Sequence, residues 1–323
     1  MLKNNFEKNT FLDNQMKCIF ASFGFLLITS ILAGCSMNSS SDKNDNSTTV
    51  NQNSSAIQNF PIGLQKYYLD QIVEGSTEKR EYFIRYPSQH NQSNYPIVFY
   101  FHGNGGTAES FYSNLSEVHE LVDNNEFIGI FPQGLEESWN LGVEASQADD
   151  VAWVEGIIDA ISEKRFVDLS SVYAVGMSNG AGMVNKLAKE TNILKGIAPI
   201  VSQQTLELSK ISPINGVSVF QINGADDPLI PLNGGLSKVQ HQFVSAKESA
   251  ENWAMYSKCS TIPITFRSVW GPYPVQSFFY GNCESNWQVR YHIVEGSGHS
   301  GNFGNFALHT AIWNFFEKFP GRD

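Results

Sequence analysis

Three residue types that together can transfer an acyl group occur in this chain in one order. A serine lies in Gly176-Met177-Ser178-Asn179-Gly180, a carboxylate pair at Asp226-Asp227, and a histidine in Gly296-Ser297-Gly298-His299. A serine hydroxyl is a weak nucleophile until a base takes its proton, and that base needs a carboxylate to hold its ring in the right tautomer. Asp227 precedes Pro228, which biases it toward extended backbone, and is the preferred acid; Asp226 stays open as the alternative. A fourth segment, His102-Gly103-Asn104-Gly105-Gly106, has the glycines that let backbone N–H groups approach a developing oxyanion. The expected donors are the amide of Asn104 and that of Asn179, directly after the serine. His102 is expected to brace this loop rather than react.

A Gly-x-Ser-x-Gly match means little alone, because small residues collect in turns for steric reasons. Its meaning depends on the elements around it. YPIVFYF, SVYAVGM, VSVFQING and VRYHIVEG read as apolar strands, and each ends at one of the four segments above. The other histidines are worse placed: His292 lies within a strand, His119 and His309 within helices, and His90 and His241 in polar stretches with no strand end. KYYLDQIV and REYFIRYP read as an early hairpin, FIGIFPQG and LKGIAPIVS as further strands, and VQSFFYG as a strand before the last one. Helices are expected over 107–123, after Gly180, over 238–257 and over 305–318. Another should start near Ser146 and Asp149, since Val151, Val154, Ile157, Ile158 and Ile161 form one helical stripe. The segments GLEESWNLGVEASQ and SVWGPYPVQ read as loops. Alternating strands and helices imply one α/β domain with a mostly parallel sheet covered by helices on both faces. Ligands bind such sheets outside the carboxyl ends of the strands, where all four segments lie. The order serine, aspartate, histidine is that of the α/β-hydrolase triad.

Composition limits the remaining possibilities. The 323 residues carry a formal net charge of −11 and no lysine- or arginine-rich run, which excludes an electrostatic footprint for nucleic acid. Lys17 precedes an apolar stretch over 19–33 that ends in Leu32-Ala33-Gly34-Cys35, too short for a membrane span and suited to a secretory leader. Residues 1–34 are therefore expected to be a lipoprotein signal peptide, with Met16 as the expected true start and Cys35 as the lipidated first residue of the mature chain; an ordinary cleaved signal is the alternative. The protein is then secreted to the cell envelope or beyond, and a lipid at Cys35 would tie it to a membrane. Residues 35–60 are rich in Ser and Asn and read as a flexible tether, leaving 61–323 as the catalytic domain. Outside the leader and Cys35, only Cys259 and Cys283 remain; in an oxidising compartment they suggest one disulfide, with two buried thiols as the alternative. Asp149-Asp150 reads as helix-start charge, and no zinc-ligand spacing, phosphate loop or dinucleotide fingerprint occurs, so no metal or organic cofactor is expected.

FHGNGGTAESF, IGIFPQGLEESWN, DDVAWVEGIIDAI, VYAVGMSNGAGM, INGADDPLIPLNGG, WAMYSKC and VEGSGHSGNF resemble, in sequence and order, the polyhydroxybutyrate depolymerase and feruloyl esterase family, which includes bacterial lipoproteins of the LpqC type. The resemblance covers most of residues 65–319 and implies an α/β-hydrolase fold, no cofactor and hydrolysis of carboxylic esters: polyhydroxybutyrate oligomers, feruloyl esters or short acyl esters. It aligns Ser178 with the family nucleophile, Asp227 with the acid, His299 with the base and HGNGG with the oxyanion segment, and it favours pairing of Cys259 with Cys283. GSGHSGNFG lacks the aromatic residue and proline that often follow the family histidine, which leaves the pocket wall beside His299 undefined. Trp139 is expected to contact substrate. Two other readings compete: a carbohydrate- or surface-binding lipoprotein on an inactive hydrolase fold, using solvent-facing Trp139 and Trp270, and a serine peptidase sharing the triad.

Overall fold

The apolar runs become the strands of a ten-stranded sheet in a computed structural model that describes residues 60–89 and 94–320. The leader, Cys35, the tether before Phe60 and His90 lie outside the described residues. In chain order the strands are β1 (Gly63–Val73), β2 (Ser76–Tyr86), β3 (Tyr95–Phe101), β4 (Ile128–Pro132), β5 (Val167–Met177), β6 (Gly196–Ile200), β7 (Ser218–Gly224), the short β8 (Gly235–Leu236) and β9 (Gln242–Phe243), β10 (Ile264–Trp270), β11 (Tyr273–Tyr280) and β12 (Val289–Val294). The helices are α1 (Ala108–Ser113), α2 (Ser116–Asp123), α3 (Asp150–Ser162), α4 (Asn179–Glu190), α5 (Leu206–Ser209), α6 (Ala246–Tyr256) and α7 (Leu308–Lys318). The large sheet runs β1-β2-β4-β3-β5-β6-β7-β12-β11-β10; its central strands, from β4 to β12, pair in parallel, and the outer ones are antiparallel.

Continuous apolar strands are what a doubly covered sheet requires, because successive side chains point to opposite faces. On β3, Ile97, Phe99 and Phe101 join one core with α3, α4 and α6, while Val98 and Tyr100 join the other with α1, α2 and α7. The α3 stripe packs as its spacing predicts: Val151, Val154, Ile157 and Ile161 are buried, and Asp149 caps the helix by accepting from the Ala152 amide (3.0 Å).

Three expectations change. The helix expected over 107–123 is two, because Asn114 closes α1 with its side chain donating to the Ser110 carbonyl (2.8 Å). The helix expected over 238–257 begins only at Ala246, capped by Ser245; before it, the Ser237 amide donates to the His241 carbonyl and closes a turn between β8 and β9. SVWGPYPVQ is not a loop but the centre of a hairpin: Trp270 pairs with Tyr273, and Gly271 (φ 53°) with Pro272 forms a two-residue turn.

Candidate active site

The turn from β5 into α4 holds Ser178 at φ 57°, ψ −117°, a conformation that side chains rarely adopt. The glycines around it make the turn possible by close approach. A Cβ on Gly176 would collide with the Gly180 carbonyl, and one on Gly180 would collide with the carbonyls of Phe101 and His102 at the end of β3. The Ser178 amide donates to the Ile200 carbonyl on β6 (2.9 Å), which pins the turn to the neighbouring strand.

At the ends of β7 and β12, the loops bring two more residues to this serine. The Ser178 Oγ–H donates to His299 Nε2 (2.8 Å), and His299 Nδ1–H donates to Asp227 Oδ2 (2.7 Å). The carboxylate acceptor puts the imidazole proton on Nδ1 and leaves Nε2 free to accept from the serine. The other Asp227 oxygen accepts from the amides of Leu229 (2.8 Å) and Ile230 (3.0 Å). Burial acts to raise this carboxyl, but the His299 hydrogen bond and the two amides outweigh it and hold Asp227 below the usual carboxylate range. Asp226 has its side chain exposed, and its amide donates to the Ser297 carbonyl (2.9 Å), tying the two loops together. Of the two carboxylates, Asp227 is thus the one that meets the histidine.

Asn104 and Asn179 line one cavity with Ser178, of about 310 Å³. Neither of their amide N–H groups has a hydrogen-bond partner among the described residues. Hydrogen bonds to the segment after β4 set their positions. Ser138 Oγ donates to Asn104 Oδ1 (2.8 Å), and the Gly105 amide donates to the Glu137 carbonyl (2.8 Å). The Asn179 side chain accepts from the Trp139 amide (2.7 Å) and donates to the Trp139 carbonyl and to Glu144 Oε1 (both 3.0 Å). His102 is buried and braces the loop: Nδ1–H donates to the Gly103 carbonyl (2.8 Å), and Nε2 accepts from the Gly134 amide (3.0 Å). Burial pushes this imidazole below its ordinary pKa, in keeping with a neutral ring.

Trp139 is not a substrate contact. It is fully buried, its ring packs edge-on against Phe101 (5.0 Å), and its indole N–H donates to the His102 carbonyl (2.9 Å), so it supports the loop from beneath. Trp270 is buried as well, stacked on Phe306 at 4.3 Å. A binding face built on these two exposed indoles is therefore absent.

The sequence reading missed two residues of the cavity, Glu144 and His241. His241 Nε2–H donates to Glu144 Oε1 at 2.7 Å, with side-chain exposures of 8% and 9%. They lie 97 residues apart, Glu144 in an irregular segment and His241 at the end of the turn between β8 and β9, and no spacing rule joins such positions. Asp150 sits in the first turn of α3, as expected of helix-start charge, and is also buried in an ion pair with Arg80 (2.6 Å) and accepts from the Asn140 amide (2.7 Å), anchoring residues 133–149. Among the described residues, no group of three or more His, Cys, Asp or Glu side chains is placed to hold a metal ion, and no helix is long and apolar enough to cross a membrane. Cys259 and Cys283 form a disulfide between the end of α6 and the β11–β12 connection.

Over 78% of its length the chain superposes on an acetyl xylan esterase from Aspergillus awamori, covering 99% of that structure at a TM-score of 0.54 with 15% identity. The chain has an α/β-hydrolase fold. In sequence, this hydrolase-fold chain is similar to feruloyl esterase B of Piromyces equi, 26% identical over 69% of this chain and 42% of that protein. It is also similar to a probable feruloyl esterase C of Aspergillus terreus, 27% identical over 73% of this chain and 83% of that protein. The chain thus spans less than half the length of the Piromyces relative. No family profile matches it.

Proposed function

We propose that this chain is a serine carboxylic ester hydrolase. The observation that carries the proposal is the continuous hydrogen-bonded relay from Ser178 through His299 to Asp227, opening onto a cavity. In this reading Ser178 Oγ attacks the ester carbonyl carbon while His299 Nε2 takes its proton. The carbonyl oxygen, now an oxyanion, is met by the amides of Asn104 and Asn179, each such donor being worth about 3 kcal/mol in the transition state. The intermediate collapses as His299 gives its proton to the departing alcohol, leaving an acyl group on Ser178. Water, deprotonated by His299, then attacks the acyl-enzyme; as the tetrahedral intermediate collapses, His299 returns that proton to Ser178 Oγ and the acid leaves. Asp227 keeps the imidazole oriented and stabilises its protonated form throughout.

For substrates, the reading is feruloyl or short acyl esters, with polyhydroxybutyrate oligomers as further members of the class. It is supported by the names of the two curated relatives and by the apolar walls of the cavity, Leu141, Val143, Ile230, Val239 and Phe243. We further propose the organisation stated for the sequence: a signal peptide over 1–34, a lipidated Cys35, a tether over 35–60 and the catalytic domain from 61, delivered to the cell envelope.

The purified protein should hydrolyse p-nitrophenyl acetate and butyrate, and Ser178→Ala should lose at least ~10⁴-fold in kcat. Equal rates in the two proteins would remove the assignment. A protein that cleaves peptide amides but leaves these esters intact would instead be a peptidase.

A further inference from the structure

The cavity that Ser178 lines is also lined by a carboxylate–histidine pair, Glu144 and His241, distinct from the pair that meets the serine. Every hydrogen-bonding direction of Glu144 is taken: Oε1 accepts from His241 Nε2 (2.7 Å) and Asn179 Nδ2 (3.0 Å), Oε2 from the amides of Leu141 (2.7 Å) and Val143 (3.2 Å). Burial acts to raise this carboxyl, and the donors, His241 first among them, overcome that and keep it ionised. Glu144 therefore has no lone pair left for a ligand; what it does is orient a ring. His241 has Nε2 committed to Glu144, and its Nδ1 has no hydrogen-bond partner among the described residues. The ring belongs to the wall of the cavity that Ser178 also lines, among apolar side chains such as Val143, Val239 and Phe243. Asp227 and His299 follow the same plan, with one nitrogen held by a carboxylate and the other left for a reacting or binding partner.

We infer that His241 is a specificity-determining residue, held by Glu144, whose Nδ1 hydrogen-bonds a hydroxyl group carried by the ester. This rests on the ester-hydrolase reading of the same cavity. A hydroxyl is the group the site suits, because it can donate to or accept from an imidazole nitrogen. An anionic substituent would instead meet the negative charge of Glu144. The hydroxyl can come from the acyl part, as in a hydroxycinnamate, or from the alcohol part, as in a sugar.

The test is a binding titration on full-length Ser178→Ala, which needs no turnover. The acyl pair is methyl 4-hydroxycinnamate against methyl cinnamate; the alcohol pair is an O-acetylated methyl xyloside against cyclohexyl acetate. In one pair the hydroxylated ester should bind about tenfold tighter, the size of one well-made hydrogen bond. Adding His241→Gln should reduce that advantage to about twofold or less. Glutamine can still donate to Glu144, so the two loops stay tied while the Nδ1 function is lost. His241→Asn, which puts a polar atom near the Nδ1 position, should keep part of the preference. Equal binding within both pairs, binding by none of the four esters, or a full preference retained in His241→Gln would overturn the inference. Hydrolysis of p-nitrophenyl acetate by the wild-type protein separately decides the ester reading, so the two failures are distinguishable.

Discussion

Adjacent aspartates at the end of β7 have separate fates. Asp227 turns inward and takes three hydrogen bonds, while the Asp226 side chain stays in solvent. Asp227→Asn should leave the fold intact and lower kcat for p-nitrophenyl butyrate by ~10⁴, the effect of stabilising the wrong imidazole tautomer. Asp226→Asn should stay within about twofold of wild type, as surface substitutions do. Steady-state kinetics of the two variants make the comparison, and a reversal of their order would exchange the roles. Residue types and chain order were enough to single out Ser178, His299 and the aspartate pair. Choosing between the aspartates rested on the proline after Asp227, a local bias on backbone; their side-chain directions depend on the loop from β12 packing against them.

Elements place the site more than individual residues do. Four strand ends carry the proposed machinery, and all were legible because strands buried on both faces leave long apolar runs. The irregular segment between β4 and α3 was not. It is held from below by the Arg80–Asp150 pair, whose side chains are 1% and 0% exposed, by the Asn140 amide on Asp150, and by Arg80 lying 3.8 Å over the Trp153 ring. Removing one partner leaves the other charge buried without compensation. Asp150→Ala should therefore lose about 3–5 kcal/mol in urea unfolding. Activity should fall with it even where the protein is folded, because the same segment carries Ser138 and Glu144. A change below 1 kcal/mol would mean that water reaches Arg80. The sequence pattern signalled the start of α3 at this aspartate but not its partner on β2, which only the sheet brings near.

For the molecule as a whole, stability should depend on two histidines that take no part in the relay. Burial, aided by the Arg290 charge, pushes His292 down to about 3, and burial alone pushes His309 down to about 4. Both values lie below the unfolded reference of about 6.5, so the unfolded chain binds protons that the folded one refuses. Their contribution is complete above about pH 6.5 and is lost as pH falls toward 4 and 3, by up to about 1.4 kcal/mol per pH unit for each histidine. Urea midpoints measured from pH 7.5 to 4.5 should fall accordingly, and His309→Leu should flatten the curve. An unchanged slope in that variant would show that His309 is already protonated when folded. The Cys259–Cys283 disulfide closes a sequence separation of 24 and should add about 3 kcal/mol, seen as a lower thermal midpoint in reductant. Alkylation without reductant should leave Cys259 and Cys283 unmodified in a peptide map.

By itself the sequence determined the sheet except for its edge strand β10, its two covered faces and the strand ends at which chemistry would gather. It could do so because periodicity, glycine placement and chain order are local or sequential properties. Tertiary structure alone decided the use of the long irregular segments. It buried Trp139 beneath the loop after β3, joined Glu144 to His241 across 97 residues, and made a hairpin where Gly271-Pro272 looked like a break. Such contacts arise between segments with no periodicity of their own, whose conformations are set by what they pack against.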